Sequence, residues 1–215
     1  MNTIKTSLIL IVFAAIFSCC GQSNKQNNQN VMHKRLDFNL LEKKAVKEKI
    51  LGKNYYEYTL EYEGADSSWY KISGNKMDGF IEWETPKLPF FDKGYSEYYG
   101  NGTLKLTGKC IGKNLGCKIG IWEYFDENGN KTKEVDEDAK YGAYSYTHLL
   151  VFTLHSGHIN IDTGEGRENF DIIYDEKEKI WYVSEIDEFY KIRKYKIDGE
   201  TGDVISDETY QGGNE

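Results

Sequence analysis

The chain has only two prolines in 215 residues, and both, Pro86 and Pro89, fall in one link. Proline cannot donate to a β-ladder, so that link is a loop or an edge, and the rest of the chain is free to form sheet. No apolar run approaches the roughly 20 residues that a helix needs to cross a bilayer. The longest, LILIVFAAIF from Leu8 to Phe17, has ten. Basic charge is scarce as well: 27 Lys and Arg stand against 35 Asp and Glu, a net charge of −8. That balance argues against nucleic acid, whose phosphates normally meet a basic patch, and it offers no polybasic attraction to anionic lipid. The Gly-x-Ser-x-Gly elbow, the phosphate loop and the dinucleotide fingerprint are all missing. Four cysteines and four histidines never fall into the paired spacing of a zinc site. Neither a cofactor nor a metal is expected.

What is present begins at the amino terminus. Lys5 precedes the ten-residue apolar run, and Ser18-Cys19-Cys20-Gly21 ends it, the pattern of a secretory leader rather than a span. Ile16-Phe17-Ser18-Cys19 resembles the lipobox of bacterial lipoproteins, in which the cysteine is acylated and becomes the new first residue. Phe17 is bulkier than that pattern prefers, and Cys20 is a second possible anchor. The resemblance implies lipidation at Cys19 and a membrane contact made through acyl chains, each buried CH₂ contributing about 0.8 kcal/mol. The body is then expected in the cell envelope, held to the inner or outer membrane and exposed to the periplasm or the exterior. Loss of Lys5 with the leader makes the remainder one charge more acidic. The following GQSNKQNNQN lacks the apolar surface to offset its ordering entropy and reads as a tether.

Leu36–Leu51, LDFNLLEKKAVKEKIL, spaces leucines among charges and is closed by Gly52, predicting an amphipathic helix. The period then changes to two, with Tyr56, Tyr58, Leu60 and Tyr62 on one face of a strand. From Trp69 to Gly129 short aromatic runs are cut by glycines, which predicts successive hairpins. Glu97-Tyr98-Tyr99 followed by Asn101-Gly102 recurs as Glu123-Tyr124-Phe125 followed by Asn128-Gly129, with one extra residue in the second copy. This pattern, with Gly-x-Cys-x-x-Gly-Lys between the copies, resembles the bacterial variant of MORN repeats, whose units are stacked β-hairpins. The likeness covers about residues 94–135, with a worn copy at Met77–Trp83. Proteins carrying it are often labelled antitoxin components.

After the acidic connector EVDEDAKYG, Tyr144–Gly157 reads as a helix. Two alternating segments follow, ENFDIIYDEKEKIWYVSEI and FYKIRKYKIDGETGDVI. Trp181-Tyr182-Val183 and the ending Asp198-Gly-Glu-Thr201-Gly202-Asp-Val204 resemble the PepSY domain over about residues 143–210. That family occurs in peptidase propeptides and envelope proteins, so the likeness implies a helix-strand-strand module and a peptidase-restraining role. The expected fold is therefore α+β, mostly antiparallel β. Its expected parts are a leader at 1–18, a tether at 19–30, an N-terminal helix and strands at 31–92, hairpin repeats at 93–138 and the PepSY-like module at 139–215.

Four constellations bear on chemistry. Asp126, Asn128, Asn130 and Glu137 could open a calcium loop, but the sixth position is Lys131 where such a loop requires glycine, and aromatic strands flank it. A hairpin turn is expected, with Asn128-Gly129, like Asn101-Gly102, supplying positive φ. Cys110 and Cys117 flank a six-residue turn and are candidates for a disulfide in an oxidising compartment, unless a one-residue shift in register sends them to opposite faces. His148 and His155, seven apart, with His158 beyond, lack the i, i+4 pair and glutamate of a helical zinc site. Asp162-Thr163-Gly164 matches an aspartic-protease triplet, but only one copy exists where two carboxylates must share a proton. Seventeen tyrosines exceed what a core of this size requires, so some should line a binding face. The candidates are Tyr98, Tyr99, Trp122 and Tyr124, because interfaces favour such rings. The expected role is that of a non-enzymatic envelope lipoprotein that binds an envelope or secreted protein. An immunity-type or peptidase-restraining inhibitor is the narrower alternative, and a hydrolase with an acidic site is the outlying one.

Overall fold

Asp37 begins the first element because its carboxylate accepts from the Leu40 amide at 3.0 Å, satisfying an orphan donor at the helix start. The computed structural model describes residues 34–156, 159–160, 162–186 and 189–211. The expected leader, tether and lipidated Cys19 therefore lie outside the described residues, as does His158. Helix α1 is short, Phe38–Lys44, and not the 16-residue helix expected over Leu36–Leu51. Ala45 turns to extended backbone, and Val46–Lys49 forms β1, paired antiparallel with β2, Tyr56–Glu63. The reason is tertiary: ladder hydrogen bonds to β2 outweigh the helical preference of a charged segment with a β-branched residue at its head.

The alternation over Tyr56–Tyr62 places Tyr58 and Leu60 inward. Strands β3 (Trp69–Asn75), β4 (Gly79–Thr85), β5 (Asp92–Tyr98), β6 (Leu104–Ile111), β7 (Cys117–Phe125) and β8 (Lys131–Asp136) follow. Each pairs with its neighbour in sequence, so β1 to β8 form one eight-stranded antiparallel meander. The division expected at 92/93 is not a break, since β4 pairs with β5 across it. On one face Tyr58, Leu60, Ile72, Phe80, Tyr98, Leu104 and Phe125 build a core with Leu36 and Leu41, and α1 covers it.

The repeat is real in the backbone, but its frame differs from the expected one. The β5–β6 turn closes with Gly102 N donating to Tyr99 O at 2.8 Å, and the β7–β8 turn with Gly129 N donating to Asp126 O at 2.9 Å. Both ladders shift register one residue before the turn, between Glu97 and Tyr98 and between Tyr124 and Phe125. Tyr98 is therefore equivalent to Phe125, and the copies have equal length. Only Gly102 and Gly129 take positive φ, 80° and 86°. Asn101 and Asn128 do not, so each turn is a type I turn followed by a left-handed glycine rather than a two-residue primed turn. The turns stack along the sheet: Tyr99 Oη donates to Phe125 O at 2.9 Å.

The second layer is built from a short 3-10 turn at Glu137–Lys140, helix α2 (Tyr146–Ser156), and strands β9 (Phe170–Asp175), β10 (Ile180–Ile186), β11 (Lys191–Asp198) and β12 (Val204–Gln211). Each of the two alternating segments folds back as a hairpin, so the expected helix-strand-strand module is a helix with four strands, ordered β12-β11-β10-β9. Its core joins Leu149 of α2 to Ile172, Trp181, Val183, Tyr195 and Ile197, and also takes in Ile111, Cys117 and Ile119 of the large sheet. Trp181 is fully buried and its indole donates to Tyr144 O at 2.7 Å. The Asp198–Val204 motif is the β11–β12 turn, where the Asp198 carboxylate accepts from the amides of Glu200 and Thr201 at 2.8 Å. Its spacing follows from that local bonding.

Candidate binding groove

Where α2 meets the large sheet, the two surfaces do not close completely. The gap is a groove of about 780 Å³. Its floor is Ile111 and Ile119, with Ile121 at the margin, and its helical wall is Tyr146, Leu150 and Val151. The third wall is the link that carries both prolines, through Pro89, Phe90 and Phe91. Arg167, from the turn before β9, fixes that link by donating through Nη1 to Pro86 O at 2.6 Å and to Phe90 O at 2.8 Å. Several of these apolar side chains stand open to solvent: Phe90 is 60% exposed, Ile121 50% and Val151 46%. Apolar surface rimmed by polar groups in a concave site is the usual make-up of a binding pocket.

Among the described residues that line the groove, Asp92 and Lys109 are the acidic and basic side chains, and they are joined to each other at 2.6 Å. The pair sits at the solvent edge, Lys109 being 65% exposed along its side chain. The α2 segment from Tyr146 to Leu154 contains no Asp, Glu, Lys or Arg. The arrangement suits an apolar guest and has no acid and base poised on a common reacting atom.

The four aromatic side chains expected to form a binding face are not brought together. Tyr98 lies in the core beneath α1 at 2% exposure. Trp122 is also fully buried, its ring over Gly108, where a Cβ would fall 2.3 Å from indole carbons. Its indole donates to Lys109 O at 3.0 Å, Tyr95 stacks on it at 5.9 Å, and Lys118 Nζ lies 4.2 Å from its centre. Tyr99 is half-buried and ties adjacent turns together, and half-buried Tyr124 carries Lys133 Nζ 5.3 Å from its centre. Alternation in a strand sends successive side chains to opposite faces, and the register shifts decide which of them face the core.

No family model, curated protein or solved structure matches the chain. The assignment of the groove therefore rests on its own geometry.

The cysteines correct a second expectation. Cys110 and Cys117 are free thiols. In the ladder Cys110 faces Lys118 and Cys117 faces Ile111, one residue out of step, so the two side chains leave opposite faces of the sheet. Cys117 joins the α2 core and Cys110 does not. Burial pushes both thiols up, Cys110 to about 11 and Cys117 to about 12, which keeps them protonated and unreactive at neutral pH.

The remaining chemistry-bearing motifs are turns and caps. Asp126 Oδ1 accepts from the amides of Asn128 and Asn130 at 2.9 Å, and these backbone bonds occupy the carboxylate that a calcium loop would direct at the ion. The Asp162–Gly164 triplet turns under Asn160, whose side chain accepts from the Asp162 and Thr163 amides. His148 Nδ1 lies 3.1 Å from the Ser145 amide at the start of α2, and His155 Nδ1 lies 2.7 Å from Val151 O. Among the described residues no three His, Cys, Asp or Glu side chains cluster to hold a metal ion.

Sequence reading missed the groove. The apolar link LPFF and the run Leu149–Phe152 of α2 carried the only signal, since four consecutive apolar residues on a helix face more than one side.

Proposed function

We propose that this chain is a lipid-anchored envelope protein that acts by binding another protein, with the groove beside α2 as the seat of an apolar element of its partner. The observation that carries the reading is the combination of exposed Phe90, Ile121 and Val151 around a concavity where the charged side chains Asp92 and Lys109 neutralise each other. Such a site can hold apolar side chains, which contribute about 25 cal/mol per Å² removed from water, and it supports binding over turnover. The lipobox-like leader supports the anchor, and the MORN-like and PepSY-like motifs support assignment among envelope interaction proteins.

Phe90→Glu and Val151→Glu test the seat, because both side chains are exposed and the changes leave the cores intact. Detergent-solubilised envelope passed over immobilised wild-type chain should yield one stoichiometric protein that the double variant fails to retain. Equal retention would remove the groove from the binding surface. If the retained protein is a peptidase or a toxin, the role narrows to inhibition. Cys19→Ser should shift the chain to the soluble fraction, and continued membrane retention counts against the anchor.

A further inference from the structure

A sheet edge presents unpaired amides and carbonyls, and folded proteins guard such edges with brevity, charge or a covering element. Three of the four edges here follow that rule. β1 has four residues, of which Lys47, Glu48 and Lys49 are charged. β8 carries Lys131, Lys133, Glu134 and Asp136. The β6–β7 turn lies against β9, with Tyr174 N donating to Gly116 O at 3.4 Å and Lys113 N to Asp171 Oδ1 at 2.9 Å. Among the described residues β12 is the least guarded, its charges confined to Asp207 and Glu208. It runs eight residues, almost all exposed, and Val204, Ile205 and Tyr210 are 47%, 53% and 46% exposed on it.

We propose that the outer edge of β12 takes up an extended segment of a partner protein by strand addition, the segment alternating apolar and basic residues. This deepens the protein-binding reading above and depends on it for the class of partner. Two observations choose the occupant. The strand already paired to β12 is β11, KIRKYKID, which alternates in that manner and holds Asp207 through a two-pronged bond from Arg193, Nε at 2.9 Å and Nη2 at 2.5 Å. From Asp198 to Gln211 the chain carries Asp198, Glu200, Asp203, Asp207 and Glu208 and no Lys or Arg; Asp207 is taken by Arg193, and the remaining carboxylates, Glu208 on β12 and those of the turn before it, favour positive charge along this rim. A second copy of the chain fits poorly, because a two-fold pairing of β12 sets its centre, Asp207-Glu208, against itself, and like charges facing across a ladder destabilise it.

The test uses the full chain in detergent and, as probe, a fluorescein-labelled peptide of sequence KIRKYKID, with a control peptide in which Lys and Arg are replaced by Glu. Anisotropy should show saturable binding of the basic peptide, and amide hydrogen exchange should slow in residues 204–211 while β11 is unchanged. Ile205→Lys and Glu208→Lys, both at exposed positions, should each weaken binding by about threefold to fivefold through like-charge opposition. Unprotected β12 amides, equal binding by the variants, or faster exchange in β11 would overturn the proposal. A concentration-dependent dimer of wild-type chain, abolished by Ile205→Lys, would overturn the choice of occupant in favour of a second copy. If the peptide fails while the groove variants still lose the envelope partner, the edge inference falls and the binding reading stands.

Discussion

The two helices cover their sheets in different ways. Helix α1 presents Leu41, 1% exposed, to the large sheet and turns Glu42, Lys43 and Lys44 outward, so it finishes the surface it covers. Helix α2 lies between the large sheet and the four-stranded one, burying Leu149 at 0% and leaving Val151 at 46% exposure. A helix with a charged outer face closes a core, whereas α2, whose Leu149–Phe152 run is apolar on more than one side, is shared between two surfaces. Where those surfaces diverge it lines a groove. The binding site proposed here is a consequence of that incomplete closure.

The comparison predicts unequal costs. Trp181→Ala removes the largest buried side chain of the α2 core, along with ring contacts to Tyr174 at 4.4 Å and Tyr141 at 4.8 Å. It should cost about 3–5 kcal/mol by denaturant unfolding. Leu41→Ala opens the α1 core at one point and should cost about 2–3 kcal/mol, the low end for such truncations, because a seven-residue helix resettles more readily. A larger loss for Leu41 than for Trp181 would break the contrast.

The smallest effect concerns how α1 is fastened. Glu42 accepts from Lys47 at 2.5 Å, Tyr58 Oη at 3.0 Å and Lys76 at 3.3 Å, and these bonds, that from Lys47 foremost, hold its carboxyl down at about 2 against an ordinary 4.5. A depressed folded-state value means that the contribution is complete above pH 4.5 and is lost as pH falls towards 2. Glu42→Gln should therefore melt slightly lower than wild type at pH 7, with the gap closing through that window. A gap that stayed constant across it would place the effect elsewhere.

Particular residues show how far the chain could be read in advance. The turns at Gly102 and Gly129 and the buried Trp181 were legible, because a left-handed glycine and a tryptophan-centred alternating strand are local properties. The faces of Tyr98 and Trp122 and the separation of Cys110 from Cys117 were not. Each depends on a register shift, and a shift of one residue reverses every side chain beyond it. The groove was equally hidden, since Phe90, Ile121 and Val151 come from three elements distant in sequence and are joined only by Arg167 and the packing of α2.

By itself, then, the sequence determined a mostly antiparallel β protein with hairpins at its glycine turns, because period and turn chemistry act over a few residues. Tertiary structure alone decided that the hairpins make one eight-stranded meander, that α1 ends at Lys44, and that among the described residues β12 is the least guarded edge. Those outcomes depend on which surfaces compete to be buried, and that competition involves residues far apart in the chain.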